Sequence, residues 1–235
     1  MSQASEGRPT LGVLRLLQVC SPAFPIGAFA YSQGLEQAVE TGWVKDAEGL
    51  QTWCRGVLQH QLTLTDLPLV KQSMELWGAS EQATDSAARA VALTHRVLAF
   101  RETSELRAEE LMLGRSLARV LAHAGIEQAS GFVDADDASY VVLFGLAATA
   151  WRIPVADAMA GFAFAWLENQ LAAATRVMRI GQLAIQGVLG SLMNDIERAS
   201  GNARLVPSAE IGYSSPGFFF ASAGHETQYS RLFRS

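Results

Sequence analysis

The chain has 235 residues, of which 49% are hydrophobic and only 17% charged, and its formal net charge is −5. A negative charge without any run of basic residues argues against a nucleic-acid-binding protein. The apolar excess is enough for a large core, and it could also cover an interface that stays buried in an oligomer.

The cysteines and the apolar runs bear on the cellular compartment. Cys20 and Cys54, the only cysteines, lie far apart in apolar stretches, which favours two buried thiols in a reducing cytosol over a disulfide. Residues 1–9 lack the basic-then-apolar pattern of a signal peptide. The longest uncharged run, 138–151, is shorter than the ~20 residues that a membrane helix needs. We therefore expect a cytoplasmic protein that does not span a membrane.

The first helical pattern begins at Thr10 and ends where a turn-rich stretch begins. We call this stretch, residues 21–36, the corner. Its prolines cannot continue a helix, and Gly27 permits a backbone conformation that side chains resist. Ser32 is predicted to cap the short helix that follows and ends near Gly42. The corner carries four large apolar side chains, so it must pack against the core or a partner. The sequence does not decide which of these side chains face outward. They are Phe24, Ile26, Phe29 and Tyr31.

Apolar residues at helical spacing continue along the chain, and capping residues divide them into further helices. Asp46 is predicted to cap one helix, and Asp66 followed by Pro68 to start the next. Two additional helices are predicted next, one over 86–100 and one that begins in the charged stretch 101–110 and ends at Gly125. Three more are predicted over 140–151, 155–178 and 181–199. The helix over 140–151 is apolar on all sides, so it should be central.

The charged stretch 101–110 contains acidic and basic residues at helical spacing. A solvated helix surface is one interpretation of such a pattern, and a dimer or partner surface is the other.

No segment shows the sustained alternation of a strand, so the predicted class is all-α. We expect a single-domain bundle of about eight to ten helices over 10–201, preceded by a flexible segment, 1–9. Residues 202–235, the tail, lack helical spacing but hold four phenylalanines and two tyrosines. Such a tail either docks on its own domain or orders on a partner, and we favour the partner.

The sequence carries none of the common catalytic motifs. It has no phosphate-binding loop, no nucleophile elbow and no Cys-x-x-Cys pair, and His225-Glu226 lacks the second histidine of a zinc protease helix. Carboxylate pairs exist, but spacing alone cannot separate an acid–base couple from surface charge. An α-helical enzyme is therefore disfavoured, and binding to other proteins is the favoured function.

The chain resembles the UreF family of urease accessory proteins from about residue 11 to residue 235. The matching motifs include Phe24-Pro25-Ile26-Gly27-Ala28-Phe29, Tyr31-Ser32-Gln33-Gly34-Leu35-Glu36, Thr65-Asp66-Leu67-Pro68-Leu69, Arg101-Glu102-Thr103, Trp166-Leu167-Glu168-Asn169 and the stretch from His225 to Ser235.

The resemblance implies a non-enzymatic chaperone subunit that forms homodimers. It would join UreD (UreH in some species) and the GTPase UreG in a complex that inserts nickel into apo-urease. The chain would then gate GTP hydrolysis by UreG, although a purely structural adaptor is the alternative. No intrinsic cofactor is implied, since the partners handle nickel and GTP.

The resemblance also implies roles for individual residues, none of them catalytic or metal-binding. In the corner, a face for the GTPase is expected at Pro25, Gly27, Phe29, Tyr31, Ser32 and Glu36, although a well-packed turn is the alternative. In the tail, UreD would contact His225, Glu226, Gln228, Tyr229, Arg231, Leu232 and Phe233.

Two positions depart from the family pattern. Gly224 stands where an arginine usually precedes the His-Glu-Thr-Gln motif, which would remove a contact with an acidic partner group and loosen the tail. Arg179 stands where many relatives have proline, so the helix break near this position is expected to be absent or reduced to a kink.

Overall fold

The computed structural model describes residues 8–79 and 83–235, with side chains for 10–79 and 85–235. Within these ranges the chain forms α-helices with short 3₁₀ and π segments and no strand, so the predicted all-α class is confirmed. The α-helices are α1 (Arg8–Cys20), α2 (Leu35–Glu40), α3 (Ala47–Val57), α4 (Leu67–Gly78), α5 (Ala83–Ala99), α6 (Ser104–His123), α7 (Tyr140–Ala150), α8 (Val155–Val177), α9 (Gln182–Ala203) and α10 (Pro216–His225).

The centre of the bundle is α7, which packs against α4 and α6. Its residues 141–148 are all buried, as the uniformly apolar sequence predicted. Gly145 lets α4 approach closely, because a Cβ there would lie 2.1 Å from the Ser73 hydroxyl. That hydroxyl donates to the backbone oxygen of Val142 at 2.7 Å, which joins the two helices.

Two local boundary signals act as predicted. The Asp46 carboxylate accepts the backbone N–H of Gly49 at 2.9 Å and so caps α3. Gly42 and Gly125 have positive φ angles just after α2 and α6, which is the usual conformation of a C-terminal glycine.

The prediction at Asp66 is right in position, since α4 begins at Leu67 with Pro68 in its first turn, but wrong in expecting a new helix there. The chain is helical without interruption from Ala47 to Gly78, because a π segment, Leu58–Asp66, joins α3 to α4. The Asp66 carboxylate does not cap a helix. It is buried and forms an ion pair with Arg101, with 2.6 Å between oxygen and nitrogen.

Ser32 does not occupy the predicted N-cap position, since α2 begins at Leu35 with Gly34 as its N-cap. Its hydroxyl nevertheless accepts the backbone N–H of Glu36, in the first turn of α2, at 3.4 Å. The break near Arg179 is present, because α8 ends at Val177 and α9 begins at Gln182. Of the segment predicted to be flexible, residues 1–7 lie outside the described residues, and Arg8 already belongs to α1.

The tail is more regular than its sequence indicated. Helix α9 extends to Ala203, and 216–225 forms α10, so that irregular backbone is confined to shorter stretches. Helix α10 begins with Pro216, whose fixed φ and missing N–H suit a first helical position.

Cys20 and Cys54 are free and buried, which confirms the prediction of two buried thiols. Burial raises the pKa of both thiols to about 12, with a further contribution from Glu168 at Cys20. Among the described residues, no helix combines the length and apolar character that crossing a membrane requires.

Candidate protein-binding site at the corner and tail

The corner and the tail, which lie near opposite ends of the sequence, are hydrogen-bonded to each other. The backbone N–H groups of Ser32 and Gln33 donate to the backbone oxygen of Ser235 at 2.6 and 3.0 Å, and the Ser32 hydroxyl donates to the same oxygen. The N–H of Arg234 donates to the backbone oxygen of Ala30 at 2.9 Å. The two segments in which partner-binding residues are predicted are therefore adjacent in the fold.

Glu36 is the main corner residue that binds the tail. Its Oε1 accepts the backbone N–H of Leu232 at 2.8 Å, and its Oε2 accepts that of Phe233 at 3.0 Å. Oε2 also lies 3.1 Å from Nε2 of His225. Hydrogen bonds to an ionised acceptor are roughly twice as strong as neutral ones, so this buried carboxylate fixes the tail backbone and α10 together.

His225 is fully buried between two helices. Its Nδ1 lies 2.7 Å from Oε2 of Glu105 on α6, opposite the contact with Glu36 on α2. The other oxygen of Glu105 accepts from Arg231 at 2.6 Å. The imidazole therefore joins α10 to both α2 and α6.

Glu226 caps α6 from outside that helix. Its Oε1 accepts the backbone N–H of Ser104 at 2.7 Å and that of Glu105 at 3.2 Å, together with the Ser104 hydroxyl. These hydrogen bonds, with that to Ser104 first, lower the pKa of Glu226. The carboxylate thus lies at the positive end of the α6 dipole.

Glu109 lies on the inner side of the site. Its carboxylate accepts from Nε2 of Gln33 at 2.7 Å and from the Ser235 hydroxyl at 2.9 Å. Burial raises its pKa to about 7, although those two hydrogen bonds act in the opposite direction. The Gln33 side-chain oxygen accepts from Trp166 at 2.7 Å, so the corner is also bound to α8.

The raised pKa of Glu109 predicts a pH dependence of stability. The folded protein binds a proton at Glu109 between pH 4.5, its ordinary pKa, and about 7, where the unfolded chain does not. The free energy of unfolding should therefore fall as pH rises through this window, with a contribution of about 3 kcal/mol. Urea denaturation of Glu109→Gln at about pH 5 and about pH 8 should lack this contribution. Equal pH dependence in the variant and the parent would contradict the prediction.

The structure decides which corner side chains face outward. Phe29 is 63% exposed and Pro25 is also exposed, whereas Tyr31, Ser32 and Glu36 are buried. Tyr31, Ser32 and Glu36 could therefore influence a partner only through the residues that they position. The remaining corner aromatic, Phe24, is buried as well.

The tail packs on its own bundle, which was the alternative to ordering on a partner. His225 and Phe233 are buried, and the guanidinium of Arg176 lies 5.3 Å from the Phe233 ring centre. Tyr229 is fully exposed and Leu232 is 69% exposed. The roles assigned to corner and tail residues in binding partners remain predictions.

Sequence reasoning missed the buried charges in and near the first half of α6. The guanidinium of Arg101 contacts Asp66 at 2.6 Å and Glu110 at 2.8 Å, and Glu109 and Glu110 are both buried. The interpretation of 101–110 as a solvated face is thus wrong for these residues. Spacing rules could not identify the pair of Arg101 with Asp66, which are 35 positions apart.

Gly224, one departure from the family pattern, has a structural consequence. A Cβ at this position would lie 3.0 Å from Nε2 and 3.1 Å from Cγ of Gln37 on α2. Any larger side chain would have to displace Gln37, so glycine permits the present contact between α10 and α2.

Comparison with known proteins identifies the family. The sequence model of the UreF family matches residues 44–193. The chain is 42% identical over 223 residues to the urease accessory protein UreF of Marinomonas sp. (strain MWYL1), with coverage of 95% of this chain and 94% of the relative. The chain belongs to the UreF family of urease accessory proteins.

Two further UreF proteins extend this similarity over nearly the whole chain. That of Azoarcus sp. (strain BH72) is 41% identical, with 96% of each chain covered. That of Alkalilimnicola ehrlichii is 38% identical, with 99% of this chain and 100% of the relative covered. These relatives are named as accessory proteins, which confirms the expectation of an accessory protein rather than an enzyme.

Proposed function

We propose that this UreF-family chain acts in urease maturation as a chaperone subunit. It joins UreD (UreH in some species) and the GTPase UreG in a complex that inserts nickel into apo-urease, and it gates GTP hydrolysis by UreG. It works in the cytoplasm as a homodimer. Nickel and GTP are handled by the partner proteins.

The observation that carries the proposal is the exposure of large apolar side chains on a rigid support. Phe29 projects from the corner, and Tyr229 and Leu232 project from the tail. Hydrogen bonds of the buried network fix the backbone beneath them, so little conformational entropy is lost when a partner covers them. Aromatic side chains presented in this way commonly provide most of the binding energy of an interface.

UreD binding tests the tail. We expect Tyr229→Ser combined with Leu232→Ser to weaken UreD binding by about 30-fold or more, because truncating a central anchor typically costs at least ~2 kcal/mol. A titrated pull-down measures the affinity. Leu183→Ser is the matched control, since Leu183 is also exposed but lies on α9, outside the tail. Full binding by the double variant would refute the tail as the UreD surface.

UreG binding tests the corner. Phe29→Ser should weaken UreG binding and lower urease activation by roughly tenfold or more, while the melting temperature stays close to that of the parent, because the ring is largely solvated. Nickel bound to co-expressed urease is measured together with urease activity. Normal nickel loading in this variant would exclude Phe29 from the GTPase face.

Regulation and adaptor function are separated by the GTPase rate. The rate of UreG is measured with and without this protein at saturating nickel and bicarbonate. A changed rate supports gating, whereas an unchanged rate, with complex formation intact, supports the alternative of a purely structural adaptor.

A further inference from the structure

A groove of about 520 Å³ lies between α3 and the start of α10. The buried side chains of Val44, Val57 and Phe218 line it. The Trp53 ring lies beside them, with its centre 6.4 Å from that of the Phe218 ring, and its Nε1 donates to Gln170 on α8 at 3.3 Å. Sites for ligands and side-chain anchors are typically concave and apolar with a few polar groups. The groove has this character, and Trp53 is held in place by its hydrogen bond.

Two glycines keep the groove open. A Cβ at Gly56 on α3 or at Gly217 on α10 would meet nothing within 4 Å, and both residues line the groove. Gly56 lies within a helix, where glycine is less favourable than alanine. Side chains of another molecule can therefore approach the backbone of both helices at these positions.

The charges that line the groove have one sign. Asp46 and Glu48, at the start of α3, line it, whereas no described lysine, arginine or histidine does so. Neither carboxylate has an ion-pair partner among the described residues. Lys45 lies against Gly42 instead, with its Cε 3.2 Å from the place of a Cβ there. Trp43, which is 54% exposed, also lines the groove and offers a ring face to a cation. The groove is thus complementary to a lysine or arginine.

Helix α10 connects the groove with the tail. Gly217 and Phe220 are three positions apart and so share one face of this helix, and Phe220 is 62% exposed. At the other end of α10, His225 is fixed by carboxylates on α2 and α6, and the exposed Tyr229 and Leu232 follow in the tail. The helix is only ~15 Å long at 1.5 Å per residue. A partner that covers the exposed tail side chains can therefore reach the groove as well.

We propose that the groove between α3 and α10 binds an apolar segment of UreD that carries a lysine or arginine. This inference rests on the proposed binding of UreD to the tail and adds a second contact to that interface. A large apolar side chain of the segment lies over Gly56, against the rings of Trp53 and Phe218. The cation lies beside Trp43 and Glu48. An apolar centre with charged groups at its rim is the usual composition of a protein–protein interface.

Filling the groove from within tests this contact. Gly56→Leu adds a side chain there without a clash at its Cβ and raises helix propensity, so the fold should be retained. Binding of UreD to the full chain, measured in a titrated pull-down, should weaken by at least about tenfold. Gly187→Leu is the matched control, since Gly187 is also helical and has nothing within 4 Å of its Cβ position but lies on α9. It should bind UreD like the parent.

The charge and the exposed ring of the groove are tested separately. Glu48→Lys should lower the association rate of UreD and the salt dependence of that rate, because charges at an interface rim act mainly on association. Glu127→Lys is the control, since Glu127 is likewise exposed at the start of a helical segment. Trp43→Ser should weaken UreD binding as well, and it decides the proposal if Gly56→Leu does not fold.

The outcomes separate this inference from the proposed function. If Tyr229→Ser combined with Leu232→Ser weakens UreD binding while Gly56→Leu and Trp43→Ser do not, the tail binds UreD but the groove does not, and the inference is overturned alone. Loss of UreG binding with full UreD binding in Gly56→Leu would also overturn it, because the groove would then serve another partner. Full UreD binding by all of these variants would refute the tail surface together with the groove.

Discussion

Replacing Arg101 by methionine is expected to lower the free energy of unfolding by about 3–5 kcal/mol, the usual cost of breaking a buried ion pair from one side. The guanidinium contacts Asp66 and Glu110, and the side chains of all three residues are almost inaccessible to water. Methionine has a similar length but no charge, so two carboxylates would be left buried without a cation.

Electrostatics explain why this arginine must be charged. Burial alone disfavours the guanidinium, but the two adjacent carboxylates, with Asp66 first, raise the pKa of Arg101 overall. Burial also raises the pKa of Asp66, even though Arg101 lowers it. Without the guanidinium, the pKa of Asp66 rises further, because the lowering contribution is lost.

The loss in Arg101→Met should therefore depend on pH. A protonated Asp66 needs no cation, so the cost should shrink as pH falls and grow as pH rises through the elevated pKa of Asp66. Urea denaturation at several pH values measures it. Arg119→Met is the control, because its partner Asp134 is 86% exposed, and such surface pairs contribute less than about 1 kcal/mol.

A second variant tests whether the uncompensated charge is the cause. Asp66→Asn combined with Glu110→Gln, introduced into Arg101→Met, removes both stranded carboxylates and should recover much of the lost stability. A loss of less than about 1 kcal/mol in Arg101→Met alone would show that water or rearrangement solvates the site. No recovery in the triple variant would indicate that packing, not charge, dominates.

The helices of this fold could be predicted because their signals are local. The apolar run at 140–151, the Asp46 cap and the glycines at 42 and 125 each involve residues within one or two helical turns. All four lie at or near the observed boundaries. The role of Asp66, at the end of the π segment Leu58–Asp66, could not be predicted in this way. Its carboxylate pairs with Arg101, which lies on another part of the chain.

The site itself escaped prediction for the same reason. Corner and tail motifs could be recognised separately, but Glu36 and His225 are 189 positions apart, and no periodicity connects them. The burial of individual corner residues could not be predicted either. Tyr31, Ser32 and Glu36 were predicted to face a partner, yet the structure buries all three beneath or beside the tail.

Replacing Gly34 by alanine is expected to destabilise the protein by about 2–5 kcal/mol and to loosen the contact between α2 and α10. Two effects add. Gly34 has a φ of +81°, a conformation that costs an L-residue about 1–2 kcal/mol. In addition, a Cβ would lie 2.7 Å from the backbone nitrogen of Ser222 and 3.0 Å from the carbonyl carbon of Ala221, and overpacking of this kind typically costs about 1–3 kcal/mol.

Gly27→Ala separates the two effects. Gly27 has nearly the same φ, +82°, but a Cβ there would meet nothing within 4 Å. This variant should therefore show only the backbone cost of about 1–2 kcal/mol.

Urea denaturation of both variants measures the difference in stability, and hydrogen exchange of the Leu232 and Phe233 amides reports whether α10 has moved. Because backbone atoms of Ser222 and Ala221 cannot rotate away as a side chain would, α10 must shift in Gly34→Ala. The Leu232 and Phe233 amides should therefore lose protection in that variant alone. Equal losses of stability in the two variants would mean that the approach of α10 to the corner is loose, and that the tail is fixed by Glu36 and His225 without help from packing at Gly34.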